Sequence, residues 1–274
     1  DRIHQKAGSV LKGHYCEYTM PVPKECPACG SNKVRFFGSG TQQLEEVLEK
    51  DFPSARIARL DLDVTKVKGA AEDILEDFSA GKYDILLGTQ MVAKGHDFKQ
   101  VTAVGVITAD STLHLPQYTA AERTFALLTQ VAGRAGRGGK EGQVVIQTYQ
   151  PDHYAIIKSK GHHYEAFFEQ EIGYRKALGY PPFGEMVHLL FRGTDEKKVH
   201  QTASRASAEL MEAFPFPTSG LEIFGPYEEV MTKIRDQYRW SVMIRGKDLT
   251  AVKEFLYQSW IFTEDQLVID VDPI

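Results

Sequence analysis

The chain has 274 residues, 42% hydrophobic and 25% charged, enough for two ordinary globular domains, and it contains no run of about 18 apolar residues that would span a membrane. Its formal net charge is −5, with 18 basic and 18 acidic residues up to Gln150 and 14 basic against 19 acidic from Pro151 onward. That balance excludes nucleic-acid binding through bulk positive charge, so phosphate contacts have to be local. The opening stretch DRIHQKAGSVLKGHYC has no apolar segment of the secretory kind, and a cytoplasmic location is the expectation.

In chain order, Cys16, Cys26 and Cys29 come first. An odd count without a secretion signal argues against a disulfide framework, whereas CPACG is a zinc-knuckle hairpin whose two thiolates can share one tetrahedral metal. Three thiolates are one short of four, so they read as half a site, with His14, at an unusual i, i+2 spacing from Cys16, as the alternative fourth ligand. From Val34 to Thr148, short β-branched runs (KVRFF, ARIARLD, YDILLGT, VTAVGVITAD, GQVVIQT) alternate with helical stretches (TQQLEEVLEKDF, AAEDILEDFSAG, YTAAERTFALLTQVAG). Thr41 with Glu45, or more loosely Gln43, marks a helix start after Gly40. This alternation predicts an α/β layered domain on a parallel sheet, with ligands at the carboxyl ends of its strands.

Pro151 opens a different region. YAIIKSKGHHYEAFFEQEIGYRKALGYPP predicts one amphipathic linker helix or a helix pair, stopped by Pro181 and Pro182. A strand, a helix, the strand LEIFGP, the strands EEVMTKIRD and YRWSVMIRG around a turn at Asp236 and Gln237, a helix and a strand then follow, an order resembling a small ferredoxin-like α+β domain. The expected divisions are 1–32, a remnant of a zinc-binding module; 33–150, the α/β lobe; 151–182, linker helices; and 183–274, the α+β domain.

A nucleotide-phosphate loop, G-x-x-x-x-G-K-S/T, occurs nowhere: GSGTQQ and GRGGKEG both fail, since Glu141 follows Lys140. There is no acidic pair after a strand of the kind that holds magnesium. Yet QVAGRAGR has the form Q-x-x-G-R-x-G-R, which ends a helix and puts Arg134 and Arg137, three apart, on one side. Such arginines suit an anionic transition state, where a finger accelerates phosphoryl transfer by about 10³ to 10⁵; the bland alternative is a Gly-rich surface turn with solvated arginines.

GTQMVAKGHDFKQVTAVGVITAD followed by AAERTFALLTQVAGRAGRGGKEGQVVIQT resembles motifs V and VI of superfamily 2 helicases, and RLDLDVTKVKGA, YPPF and IDVDP extend the resemblance to the replication-restart family over essentially the whole chain. The resemblance implies a RecA-like second motor lobe plus C-terminal domain of an ATP-dependent 3′ to 5′ DNA helicase that acts in primosome assembly at stalled forks. The first lobe, which grips ATP with Mg²⁺, would be supplied by other residues, leaving this chain inactive alone. Gln130, Arg134 and Arg137 would face the γ-phosphate, Gly95 and Asp97 would lie beside the nucleotide, and Thr89, Gln90 and Lys94 would grip DNA phosphates. Cys16, Cys26 and Cys29 would belong to zinc sites of the intact protein, in which Gly13 stands where the family has a cysteine. Gln117 and Thr119 replace a family acid and arginine. The implied partners are branched and single-stranded DNA, the single-strand binding protein, and primosome proteins including the replicative helicase and its loader. The alternative is a non-catalytic DNA- or protein-binding module that retains a motor-like lobe.

Near the C-terminus, KIRDQYRWSVMIRG interleaves cations with rings, a pattern that suits single-stranded DNA, with Arg239 and Trp240 as candidates. Trp240 is equally readable as a core residue, because alternation puts only one set of side chains on each sheet face. His162 and His163 read as solvated. Asp61 and Asp63 read as loop-capping carboxylates rather than an acid pair.

Overall fold

The computed structural model describes residues 2–5, 10–13, 19–21, 41–61, 69–89, 98, 100–133, 135–136 and 142–273. The chain divides into two compact units, Arg35–Glu171 and Asp1–Val34 with Ile172–Ile274. The first residues form an antiparallel sheet in the order β1 (Arg2–Gln5), β2 (Val10–Gly13), β3 (Thr19–Pro21). Cys16, Cys26 and Cys29 lie outside the described residues, as does the expected strand KVRFF.

In the Arg35–Glu171 unit, β4 (Ile57–Leu60) pairs with β5 (Ile85–Gly88) and β6 (Ala103–Val106) with β7 (Gln143–Ile146), both parallel. Parallel partners need crossovers, and the helices α1 (Thr41–Asp51), α2 (Ala70–Ser79), α3 (Asp110–Leu113) and α4 (Ala120–Ala132) alternate with these strands as expected. Leu75 and Phe78 on α2 pack with Leu60 and Phe98, the two phenylalanine rings meeting edge to face at 4.9 Å. The end of α2 is set by Gly81, whose φ of 76° would strain any side-chain-bearing residue, with Lys82 N–H bonding Asp77 O at 2.9 Å and Gly81 N–H bonding Phe78 O at 3.0 Å.

 The run VTAVGVITAD, expected as one strand, is a strand only over Ala103–Val106 and turns into α3 at Asp110. The reason is the Asp110 carboxylate, buried and accepting the Thr148 hydroxyl at 2.9 Å and the Tyr149 N–H at 3.1 Å, which draws the chain after β6 onto the chain after β7.

The linker is a helix pair, α5 (Tyr154–Lys160) and α6 (Tyr164–Leu178). The break falls at Gly161 and His162, the latter at φ 53°, and both His162 and His163 are exposed, as solvated histidines should be. Gly179, at φ 67°, closes α6: Tyr180 N–H reaches Arg175 O at 2.9 Å and Gly179 N–H reaches Lys176 O at 3.4 Å, before the Pro181–Pro182 stop.

The C-terminal unit continues with β8 (Glu185–Gly193), α7 (Glu196–Ala213), β9 (Glu222–Ile234), β10 (Gln237–Gly246), α8 (Thr250–Gln258), a 3₁₀ turn (Trp260–Thr263) and β11 (Leu267–Val271). The sheet order β11-β8-β10-β9, antiparallel throughout, is the split β-α-β arrangement of a ferredoxin-like domain. Period-two burial on β8 puts Val187, Leu189 and Phe191 on the helix-covered face. They meet Val199, Ala203, Ala206 and Leu210 of α7, whose spacing makes one helical stripe, and Val242 and Ile244 of β10. Asp195 caps α7 by accepting the Lys198 N–H at 3.2 Å.

Two details differ from the expected strands. LEIFGP and EEVMTKIRD form a single strand, β9, whose pairing with β10 shifts register across Gly225 and Pro226 because proline has no N–H to donate. The β9–β10 turn is at Arg235 and Asp236, both with positive φ (47° and 61°), one residue earlier than the sequence suggested. Two consecutive left-handed residues match the right-handed twist of a two-residue hairpin loop.

Candidate functional site

Helix α4 carries Gln130 in its last turn. Ala120, Thr124, Phe125 and Leu128 form its buried side. Leu128 packs with Ala109 and Ile156, while Phe125 stacks on Phe167 at 4.2 Å and 9°. The helix is therefore held on two sides, which fixes where its C-terminal end points. It ends at Gly133, whose N–H bonds Thr129 O at 3.1 Å.

The chain leaving α4 is fastened to the segment before β6. Gly136, at φ 77°, gives its N–H to Val101 O at 3.1 Å, and the next carbonyl, Thr102 O, accepts the Gln143 N–H at 2.8 Å. Val101 itself packs on the cluster of Leu60, Leu75, Phe78 and Phe98. Two successive carbonyls thus hold Gly136 and Gln143. Both bonds lie at the amino ends of β6 and β7, the edge to which a crossover helix returns the chain.

At the carboxyl edges, Thr89 follows β5 and is exposed. Asp61 follows β4, accepting the Thr41 hydroxyl at 3.0 Å and lying 3.0 Å from Arg59 Nε in an ion pair without hydrogen-bond geometry. Arg59 Nη1 also meets Glu45 at 3.1 Å. Asp61 is thus a structural tie between α1 and β4. Phe98, buried at 6% exposure, anchors the chain directly after Asp97. Gln90, Lys94, Gly95, Asp97, Arg134 and Arg137 lie outside the described residues, as does Asp63.

In the C-terminal unit, Trp240 is half-buried against the core, its ring 4.3 Å from that of His200 on α7, so the core alternative describes its packing. Arg239 is on the other side of β10 and gives Nη1 to Met231 O at 3.4 Å. That side also carries a polar cluster: the Ser241 hydroxyl donates to Glu229 Oε1 at 2.5 Å, and His188 Nε2 lies 2.9 Å from Ser241 Oγ and 3.2 Å from Glu229 Oε1. The His188 contact, then Ser241 and the nearby Arg239 charge, hold the Glu229 carboxyl down to about 2 against a desolvation cost. No group of three metal-ligating side chains occurs among the described residues, and none of their helices is long and apolar enough to cross a membrane.

Residues 29–139 match the helicase conserved C-terminal domain and residues 176–274 the primosomal protein N C-terminal domain. The replication restart protein PriA of Bacillus subtilis is 46% identical over 253 residues, 92% of this chain and 31% of that protein. The Synechocystis protein of the same name is 43% identical over 272 residues, 97% and 32% of the two chains. That of Treponema pallidum is 37% identical over 279 residues, 99% and 41%. The chain belongs to the PriA replication restart family. It spans about a third of the length of the first two of these relatives.

Sequence reasoning missed the residues that hold the chain around α4: Val101 and Thr102 at the exit turn, Asp110 between the ends of β6 and β7, and Phe98 in the cluster with Leu60. An acidic residue directly after an apolar run, as in ITAD, was a usable signal for Asp110. Carbonyl partners such as Val101 O leave no mark in side-chain patterns.

Proposed function

We propose that this chain is the second motor lobe and C-terminal domain of an ATP-dependent 3′ to 5′ DNA helicase that acts in replication restart. In this reading Arg134 and Arg137 reach the γ-phosphate of ATP held with Mg²⁺ by another part of the protein. As charge moves onto the transferring phosphoryl oxygens, the two guanidiniums stabilise it by positioned charge rather than by proton transfer. Gln130 orients the site from the last turn of α4, and Gly95 and Asp97 couple nucleotide state to the cleft. Thr89, Gln90 and Lys94 hold DNA phosphates, so that opening and closing moves the strand stepwise.

The single observation that supports this reading is the anchored exit from α4. A Q-x-x-G-R-x-G-R segment starts from a helix packed on two sides and is pinned at Gly136 on Val101 O at 3.1 Å, as positioned arginines require. Arg239, on the face of β10 away from Trp240, contributes to DNA binding by the C-terminal domain, with the single-strand binding protein, the replicative helicase and its loader as further partners. Cys16, Cys26 and Cys29 have the donor chemistry for zinc and are one ligand short of a tetrahedral site, which the intact protein completes.

The test is DNA-stimulated ATP hydrolysis by this chain alone and mixed with a polypeptide that carries the phosphate loop of a family member. The expected result is no turnover above buffer for the chain alone and DNA-dependent turnover for the mixture. Turnover by the chain alone overturns the two-part motor, and DNA binding without any turnover in the mixture favours the non-catalytic binding module.

A further inference from the structure

Gly142 immediately precedes β7 and belongs to none of the motif positions given a role above. Its backbone φ is not in the left-handed region, so its own conformation accepts a side chain. The space does not. A methyl group added at Gly142 would fall inside the backbone at Ala135 and Gly136, 2.5 Å from Gly136 Cα. Real carbon atoms do not approach a backbone so closely, and neither partner is the movable tip of a side chain. Ala135 and Gly136 are the two residues between Arg134 and Arg137.

We propose that Gly142 is a positioning residue for the arginine pair: its bare Cα lets the Ala135–Gly136 backbone lie directly against the start of β7, and this contact fixes where both arginines leave the chain. The inference rests on the proposed role of those arginines. Three features act together. Val101 O holds Gly136, Thr102 O holds Gln143, and the absent side chain of Gly142 lets the two strands of chain close between those bonds. A side chain at 142 would push Ala135 and Gly136 away from Val101 and displace the arginines as a unit. Displacement of about 1 Å is enough to cost about 100-fold in rate where a group must meet a reacting centre.

The experiment uses the full-length helicase of which, on this reading, the chain is part. Gly142→Ala is expected to lower DNA-stimulated kcat by about 100-fold, with KM for ATP and the affinity for single-stranded DNA little changed. Gly105→Ala serves as the control, because a methyl group there meets the Ile107 side chain at an ordinary 3.9 Å, and it should turn over as the parent does. A general folding defect is separated by a double-variant cycle. With Arg134 and Arg137 both already replaced by Ala, adding Gly142→Ala should lower kcat no further, since the displaced groups are gone. Multiplying losses, or a kcat for Gly142→Ala within twofold of the parent, overturns the positioning role. Should Arg137→Ala itself leave kcat unchanged, the arginine reading fails first, and the positioning role fails with it.

Discussion

The two units use their buried side chains differently. In the C-terminal unit one continuous cluster runs from Val187 through Leu210 and Ile244 to Ile261, beneath a four-stranded antiparallel sheet. Among the described residues of the Arg35–Glu171 unit, the buried side chains fall into three smaller groups, around Leu60, Leu128 and Phe125, and the strands pair two by two. The difference teaches where precision comes from. The C-terminal unit is fixed by packing, whereas the candidate site is fixed by a few backbone bonds at strand ends, the kind of arrangement that opens locally at low cost.

The largest expected effect sharpens that contrast. Leu189→Ala, at a fully buried position in the middle strand β8, should cost about 3–5 kcal/mol, while Leu75→Ala, in a small group at 6% exposure, should cost about 2–3 kcal/mol because its surroundings can collapse more readily. Denaturant titration with a probe in each unit reads both. Equal costs would remove the contrast.

A middle-sized effect concerns the polar cluster on the sheet. Glu229→Gln should destabilise the C-terminal unit by about 2 kcal/mol at pH 7, a charge-assisted hydrogen bond being lost. The folded carboxyl titrates near 2, below its ordinary 4.5. Its contribution is therefore fully present above pH 4.5 and disappears as pH falls through 2. Denaturation midpoints of parent and variant should converge over that window, and a gap that stays constant with pH contradicts this account of the carboxylate. The smallest effect lies in α4: Thr119 is 4% exposed, makes no capping bond, and its hydroxyl has no partner among the described residues. Thr119→Val should raise the melting temperature, by up to about 1 kcal/mol in stability, and a fall would mean that the hydroxyl is paired.

Much of this architecture was legible beforehand. Alternating apolar runs and amphipathic stretches gave the strand and helix order from Thr41 to Thr148, and the C-terminal order gave the split β-α-β domain. Local competition explains the differences. Asp110 ends β6 by taking bonds from Thr148 and Tyr149, thirty-eight and more residues away, and no window of sequence contains both. LEIFGP and EEVMTKIRD read as separate strands, yet β9 passes through Pro226 with a register shift. At the candidate site, Q-x-x-G-R-x-G-R was visible as a motif, while its supports at Val101, Thr102 and Gly142 were not. Two of the three act through main-chain carbonyls and the third through having no side chain.

The most direct measurement of the central claim is DNA-stimulated ATPase of the full-length helicase carrying Arg137→Ala, with single-stranded DNA affinity measured in parallel. The account predicts a fall in kcat of about 10³-fold or more with DNA affinity nearly intact. Unchanged turnover, or a loss of DNA affinity that accounts for the fall, would contradict it.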